Sequence, residues 1–108
     1  MYAVVRRYEG VTDPAAAGRL VNEEFLDLIG EIPGFVAYYW IDGGNRVMSS
    51  CSVFEDKTGA DASVRLAADF VRERGPTLLP NPPQVTGGEV VAHRSMIELP
   101  TEQPASET

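Results

Sequence analysis

Two stops punctuate this chain, Pro33-Gly34 and Gly75-Pro76, and each closes a stretch with helical periodicity. Ahead of the first stop, apolar residues fall at Ala17, Leu20, Val21, Phe25, Leu28, Ile29 and Ile32. Those spacings of three and four mark one face of an amphipathic helix. Thr12-Asp13-Pro14 opens it with a capping side chain and a proline whose missing N–H costs nothing at that position. Ahead of the second stop, a helix over Thr58 to Arg74 carries its stripe at Ala60, Val64, Ala67, Ala68 and Val71, with Phe70 at the margin. Strand signals fill the remaining spaces. Tyr2 to Tyr8 is β-prone, and Phe35 to Asp42 is rich in aromatics. Gly43-Gly44-Asn45 turns the chain into a third strand from Arg46 to Glu55. A fourth strand is expected from Glu89 to Arg94, extending as far as Ile97, after the proline-rich loop 76–83.

The resulting order, β-α-β-β-α-β, predicts an α+β ferredoxin-like fold: a four-stranded antiparallel sheet with two helices on one face and strands 1 and 3 central. Residues 1–97 form one domain in this reading. Residues 98–108, acidic and with two prolines, are expected to be a disordered tail. At 108 residues with 44% hydrophobic and 23% charged side chains, the composition is that of an ordinary globular protein. Nine basic against sixteen acidic residues argue against nucleic acid and against anionic membrane as partners. No apolar run is long enough to span a bilayer, and no signal-peptide pattern opens the chain. With a single cysteine, Cys51, no internal disulfide forms, and a cytoplasmic location is expected. One histidine and one cysteine make no metal site, and no phosphate loop or nucleophile elbow is present. No cofactor is expected.

Alternation assigns the faces. A three-residue turn sets Asp42 opposite Arg46, Trp40 opposite Met48, Tyr38 opposite Ser50 and Val36 opposite Ser52. The small and aliphatic set, with Phe35, Ala37, Tyr39, Ile41, Cys51 and Val53, is expected under the helices. The other face then carries Val4, Arg6, Tyr8, Val36, Tyr38, Trp40, Met48, Ser50, Ser52, Phe54, Val91 and His93, with no helix left to cover it. A second copy of the chain is the expected cover, with an aromatic pocket between sheet and partner.

The segments Tyr2-Ala-Val-Val-Arg-Arg-Tyr8, Glu31-Ile-Pro-Gly-Phe35, Tyr38-Tyr-Trp-Ile-Asp-Gly-Gly44 and Ser52-Val-Phe-Glu-Asp56 resemble the antibiotic biosynthesis monooxygenase-like domains of the dimeric α+β barrel superfamily. The resemblance covers nearly the whole chain up to about His93. It implies a homodimer whose two sheets form a barrel, with one pocket per subunit. Some members oxygenate electron-rich aromatics with O2 and neither metal nor flavin; others degrade haem with an Asn, a Trp and a helix-borne His. Here His93 is assigned to a strand, and Asn22 and Asn45 lie off the pocket strands, which disfavours haem.

Within the pocket so drawn, His93 is the candidate base, its imidazole being the side chain that titrates near neutrality. Arg6 is the candidate anion or oxyanion holder. Tyr8, Tyr38, Trp40, Met48, Ser50, Ser52 and Phe54 are the candidate substrate-binding walls, for a small aromatic or polyketide-like ligand. The alternative is a non-catalytic dimeric barrel that binds a ligand or partner.

Overall fold

The computed structural model describes residues 1–96; the expected tail, 98–108, lies outside them. The elements are β1 (Tyr2–Tyr8), α1 (Pro14–Leu20), a π-helical turn (Val21–Phe25), α2 (Leu26–Gly30), β2 (Phe35–Asp42), β3 (Met48–Phe54), α3 (Lys57–Arg74) and β4 (Gln84–Glu89). The sheet is antiparallel, in the order β2-β3-β1-β4, so β1 and β3 are central as the sequence predicts. Among the described residues, no helix is long and apolar enough to cross a membrane.

Asp13 caps α1, its Oδ1 accepting from the Ala16 N–H at 3.1 Å. The buried residues of this helical rod are Ala17, Val21, Phe25 and Ile29. A step of four drifts around a helix of 3.6 residues per turn. The wider π turn takes up that drift and holds Val21 and Phe25 over the sheet.

Four sequence expectations change. The hairpin turn is longer, spanning 43–47: Arg46 also adopts positive φ (62°), and Asp42 pairs with Met48, Trp40 with Ser50 and Tyr38 with Ser52. Arg46 pays for that left-handed backbone with contacts to Val11, whose N–H reaches the Arg46 carbonyl at 3.0 Å and whose carbonyl accepts from Arg46 Nε at 3.0 Å. The slip is two residues, so the alternation from Ala37 onward survives. A bulge between Phe35 and Ala37 makes Val36 the extra residue. It turns Phe35 to the helix side, where its ring meets Phe54 at 5.9 Å, and leaves Val36 exposed.

The third change is the largest: the two faces are exchanged. Val4, Arg6, Tyr8, Met48, Ser50, Ser52 and Phe54 are the buried sheet residues. Tyr38 and Trp40 also pack on the helix side, while Val5, Tyr39 and Ile41 are 42%, 45% and 50% exposed on the open face. Small residues do line the helix–sheet interface, but the helices supply most of them: Ala17, Gly59, Ala60, Ser63 and Ala67. Bulky strand residues fill the space those leave, together with Phe25 and Phe70. Phe70 is therefore central to its stripe, and Val64 is exposed.

Fourth, the last strand lies earlier, over Gln84–Glu89, with Gly87-Gly88 within it. β1 runs out at Tyr2, opposite Glu89, and only one further bond, Val90 N–H to Met1 O at 2.9 Å, continues the pairing. Val91 and His93 are consequently exposed beyond the strand.

The close approach of α3 to the sheet depends on Gly59. A Cβ there would stand 2.9 Å from Phe54 Cδ1 and 3.0 Å from the Pro33 carbonyl. Gly59→Ala is expected to cost about 1–3 kcal/mol through overpacking, read as a lower urea midpoint at unchanged slope.

Candidate functional site

One rung of the ladder crosses all four strands as Trp40, Ser50, Arg6 and Val85, with the side chains on the helix side. Adjacent strands are about 4.8 Å apart, so Trp40 and Arg6 rise about 10 Å from one another with only Ser50 between. The next rung, Tyr38, Ser52 and Val4, lies beside it. Above these residues Phe25 and Phe70 close the space, their rings 4.9 Å apart, with Tyr38 5.5 Å from Phe25. Tyr8 packs against Trp40 at 5.7 Å. The hollow these residues line holds about 20 Å³ of free space, roughly the room of one water.

A second, open hollow of about 350 Å³ adjoins it between α3 and the proline-rich loop, sharing Arg6, Tyr8, Ala67, Val71 and Leu79 as a partition. The loop is fastened to the rest of the domain. Thr12 bonds the carbonyls of Leu78 (3.1 Å, from N–H) and Thr77 (2.8 Å, from Oγ1), and Asn81 Nδ2 bonds the Glu9 carbonyl at 3.0 Å.

The polar groups of the cavity are donors. Arg6 is 2% exposed, and no carboxylate pairs with it among the described residues. Its guanidinium instead makes two long bonds, Nη1 to Ser52 Oγ (3.4 Å) and Nη2 to Ser63 Oγ (3.3 Å). Burial lowers its pKa, opposed by Tyr8 and Tyr38, yet an arginine stays charged at neutral pH. Trp40 Nε1 is buried without a hydrogen-bond partner. Burial also raises both phenols, Tyr8 in direction and Tyr38 to about 12, the latter partly offset by its bond with Ser50. Tyr38 is thus a neutral phenol at physiological pH and cannot serve as a base. No carboxylate and no imidazole line either hollow. An unpaired cation and an orphaned N–H in an apolar space suit a ligand that brings acceptor oxygens.

The structure brings Arg6, Tyr8, Tyr38, Trp40 and Ser50 together around one cavity, which lies between the sheet and its own helices rather than between sheet and partner. Ser52 stands behind Arg6. Met48 packs with Val11, Ala17 and Leu79, and Phe54 with Phe35 and the α3 start, so neither lines the cavity. His93 is elsewhere: it is exposed and borders a hollow on the open face with Val36, Ala37 and Tyr39. Sequence reading missed Phe25, Phe70, Leu79 and Ser63. The signal was there for the two phenylalanines, the aromatics of the two helical stripes, and was obscured by the exchanged faces. The donor set also bears on haem, because no histidine or cysteine lines the cavity to ligate iron. Among the described residues, no group of three or more His, Cys, Asp or Glu could hold a metal ion.

No protein-family model matches the sequence, and none of the curated proteins does. Solved structures do match. NE2512 of Nitrosomonas europaea, a protein of unknown function, is 25% identical, with a TM-score of 0.68 over 94% of this chain and 95% of that one. A monooxygenase from the gene ActVA-Orf6 of Streptomyces coelicolor, solved with nanaomycin D, is 18% identical, with a TM-score of 0.66 over 93% and 92%. The heme-degrader MhuD of Mycobacterium tuberculosis, solved with two hemes in its active site, is 17% identical, with a TM-score of 0.58 over 88% and 100%.

Proposed function

We propose that this chain, which has the fold of the antibiotic biosynthesis monooxygenase-like domains, works as a homodimer that binds an ionised aromatic or polyketide-like molecule and oxygenates it with O2, without metal or flavin. The observation that carries the reading is Arg6, a buried cation with no carboxylate partner among the described residues, facing an aromatic-lined hollow and the larger one that adjoins it. A phenolate or enolate oxygen would supply the missing counter-charge. Trp40 Nε1–H would serve a second acceptor across the Ser50 floor.

The chemistry such a site supports is short. A phenolate is electron-rich enough to reduce O2 by one electron, and the radical pair combines to a ring peroxide anion, which takes up the proton of the ring carbon that bears it. Loss of hydroxide then leaves a quinone: one oxygen atom enters the ring, the other departs as hydroxide and becomes water in solvent, and no outside reductant is consumed. Arg6 stabilises the anionic species along this path, and the apolar walls exclude bulk water. Because no side-chain base lines the cavity, ionisation precedes binding or is driven by Arg6 as the ligand docks.

Dimerisation is supported by the open face. Val5, Tyr39 and Ile41 are exposed there beside Ala37, Cys51 and Val53, and both helices lie on the other side. A second copy packed sheet to sheet would bury this apolar surface.

Trp40 is the single tryptophan, so its fluorescence reports the cavity directly. Titration with 2-hydroxy-1,4-naphthoquinone, an anion at neutral pH, should quench it saturably at one site per chain. Neutral 1,4-naphthoquinone should bind at least tenfold more weakly. Equal affinity for the two would remove Arg6 from the reading. A non-catalytic binder is the second reading, favoured by the placement of His93 away from Arg6. Oxygen uptake with dihydroxynaphthalene substrates separates the two: quinone-anion binding without any uptake supports the binder.

A further inference from the structure

Arg6 is held by two serines, one from the sheet and one from α3. Ser52 donates its own proton to the Val4 carbonyl (3.4 Å), and Ser63 donates its to the Ala60 carbonyl (2.7 Å). With both hydroxyl protons committed to backbone, each oxygen is turned toward Arg6 as a neutral acceptor. Both serines are fully buried, which excludes water as the reason for a hydroxyl at either place. Arginines buried to this degree are ordinarily paired with carboxylates. Among the described residues, no carboxylate pairs with Arg6, and its polar neighbours Tyr8 and Tyr38 are neutral phenols. The guanidinium is therefore fixed in place but not neutralised.

We propose that Ser52 and Ser63 are positioning residues whose function is to hold Arg6 through uncharged acceptors, so that the cavity keeps its positive charge and selects ligands that enter as monoanions. The proposal rests on the ligand-binding reading above and narrows its ligand to one negative charge. A carboxylate in place of either serine would close an internal ion pair and quench the selection. A dianion would leave one charge buried without a partner.

The test compares Ser63→Asp with Ser63→Asn, which match in size and differ in charge. Free of any ligand, Ser63→Asp should melt about 4–8 °C above Ser63→Asn at pH 7. The introduced carboxyl, its pKa depressed by Arg6, stabilises above its unfolded pKa, and the advantage disappears as pH falls through the lower folded value. Equal melting, or Ser63→Asn the more stable, overturns the proposal. The same pair at Ser52 gives the answer where bulk at position 63 prevents folding. With 2-hydroxy-1,4-naphthoquinone as probe, Ser63→Asp should bind at least tenfold more weakly than Ser63→Asn, with neutral 1,4-naphthoquinone unaffected. Ser63→Ala should lose three- to tenfold for the anion alone, and Ser63→Thr should restore it. A parallel loss for both quinones would show a merely structural role and overturn the proposal. Wild-type protein that binds neither quinone defeats the ligand-binding reading, while the melting comparison still decides the positioning role.

Discussion

Arg6→Met should give a protein that is more stable and does not bind anions. The native guanidinium sits in the core with two long bonds to neutral hydroxyls, a poor exchange for its hydration. Methionine fills the same space without a charge. Ser52 and Ser63 keep their bonds to the Val4 and Ala60 carbonyls, so no hydroxyl proton is orphaned. Replacing buried charge by a hydrophobic residue of similar size is neutral to stabilising, by about 1–4 kcal/mol. Denaturant unfolding should therefore show a raised midpoint. Affinity for 2-hydroxy-1,4-naphthoquinone should fall at least about a hundredfold, or ~2.7 kcal/mol, the scale for truncating one partner of a buried charged pair. The opposed signs are what make the result informative. A structural arginine would destabilise on removal, and an arginine irrelevant to binding would leave the titration unchanged. A site that trades stability for an unpaired charge is a common arrangement where function needs it.

The second large effect concerns assembly. Val5 lies near the centre of the open face, on a rung with Tyr39, Cys51 and Thr86, and is 42% exposed in the single chain. In a monomer, Val5→Glu would place its carboxylate in water, at a cost within about 1 kcal/mol of strand propensity. In a sheet-to-sheet dimer the same carboxylate is buried without a partner, and so is its symmetry mate. Each carries a desolvation cost of several kcal/mol. Sedimentation of the wild-type protein should give the mass of two chains, and Val5→Glu that of one at the same concentration, with folded far-UV circular dichroism. A wild-type monomer, or a Val5→Glu dimer of undiminished affinity, would sink sheet-to-sheet pairing. Because the Arg6 cavity lies between sheet and helices of one chain, quinone binding should survive dissociation. Loss of binding on dissociation would instead show that the second copy shapes the site.

Much of this protein can be read from its residues alone. Asp13-Pro14 starts the first helix and Gly75 caps the last because capping and proline chemistry are local. Element order follows from periodicity, which is also local, and the central placement of β1 and β3 follows from the order. The alternation that groups Arg6, Tyr8, Tyr38, Trp40 and Ser50 on one face is a property of any strand, and it survived a two-residue slip at the hairpin. What those residues face is a different kind of question. Alternation says which side chains share a face and is silent about where the helices lie. That was decided by volume: the helices present alanine, glycine and serine, and only bulky strand residues fill the space above them. The same packing carried the cavity from an intersubunit position to the interior of one chain, put Phe25, Phe70 and Ser63 beside Arg6, and left Val5, Tyr39 and Ile41 in the open. His93 went the other way because β4 pairs earlier along β1, a registration set by long-range hydrogen bonds rather than by residues near position 93. Sequence by itself determined the elements, their order and the sorting of side chains into two sets. Only the tertiary structure decided which set is buried, because burial depends on how volumes from distant segments fit together.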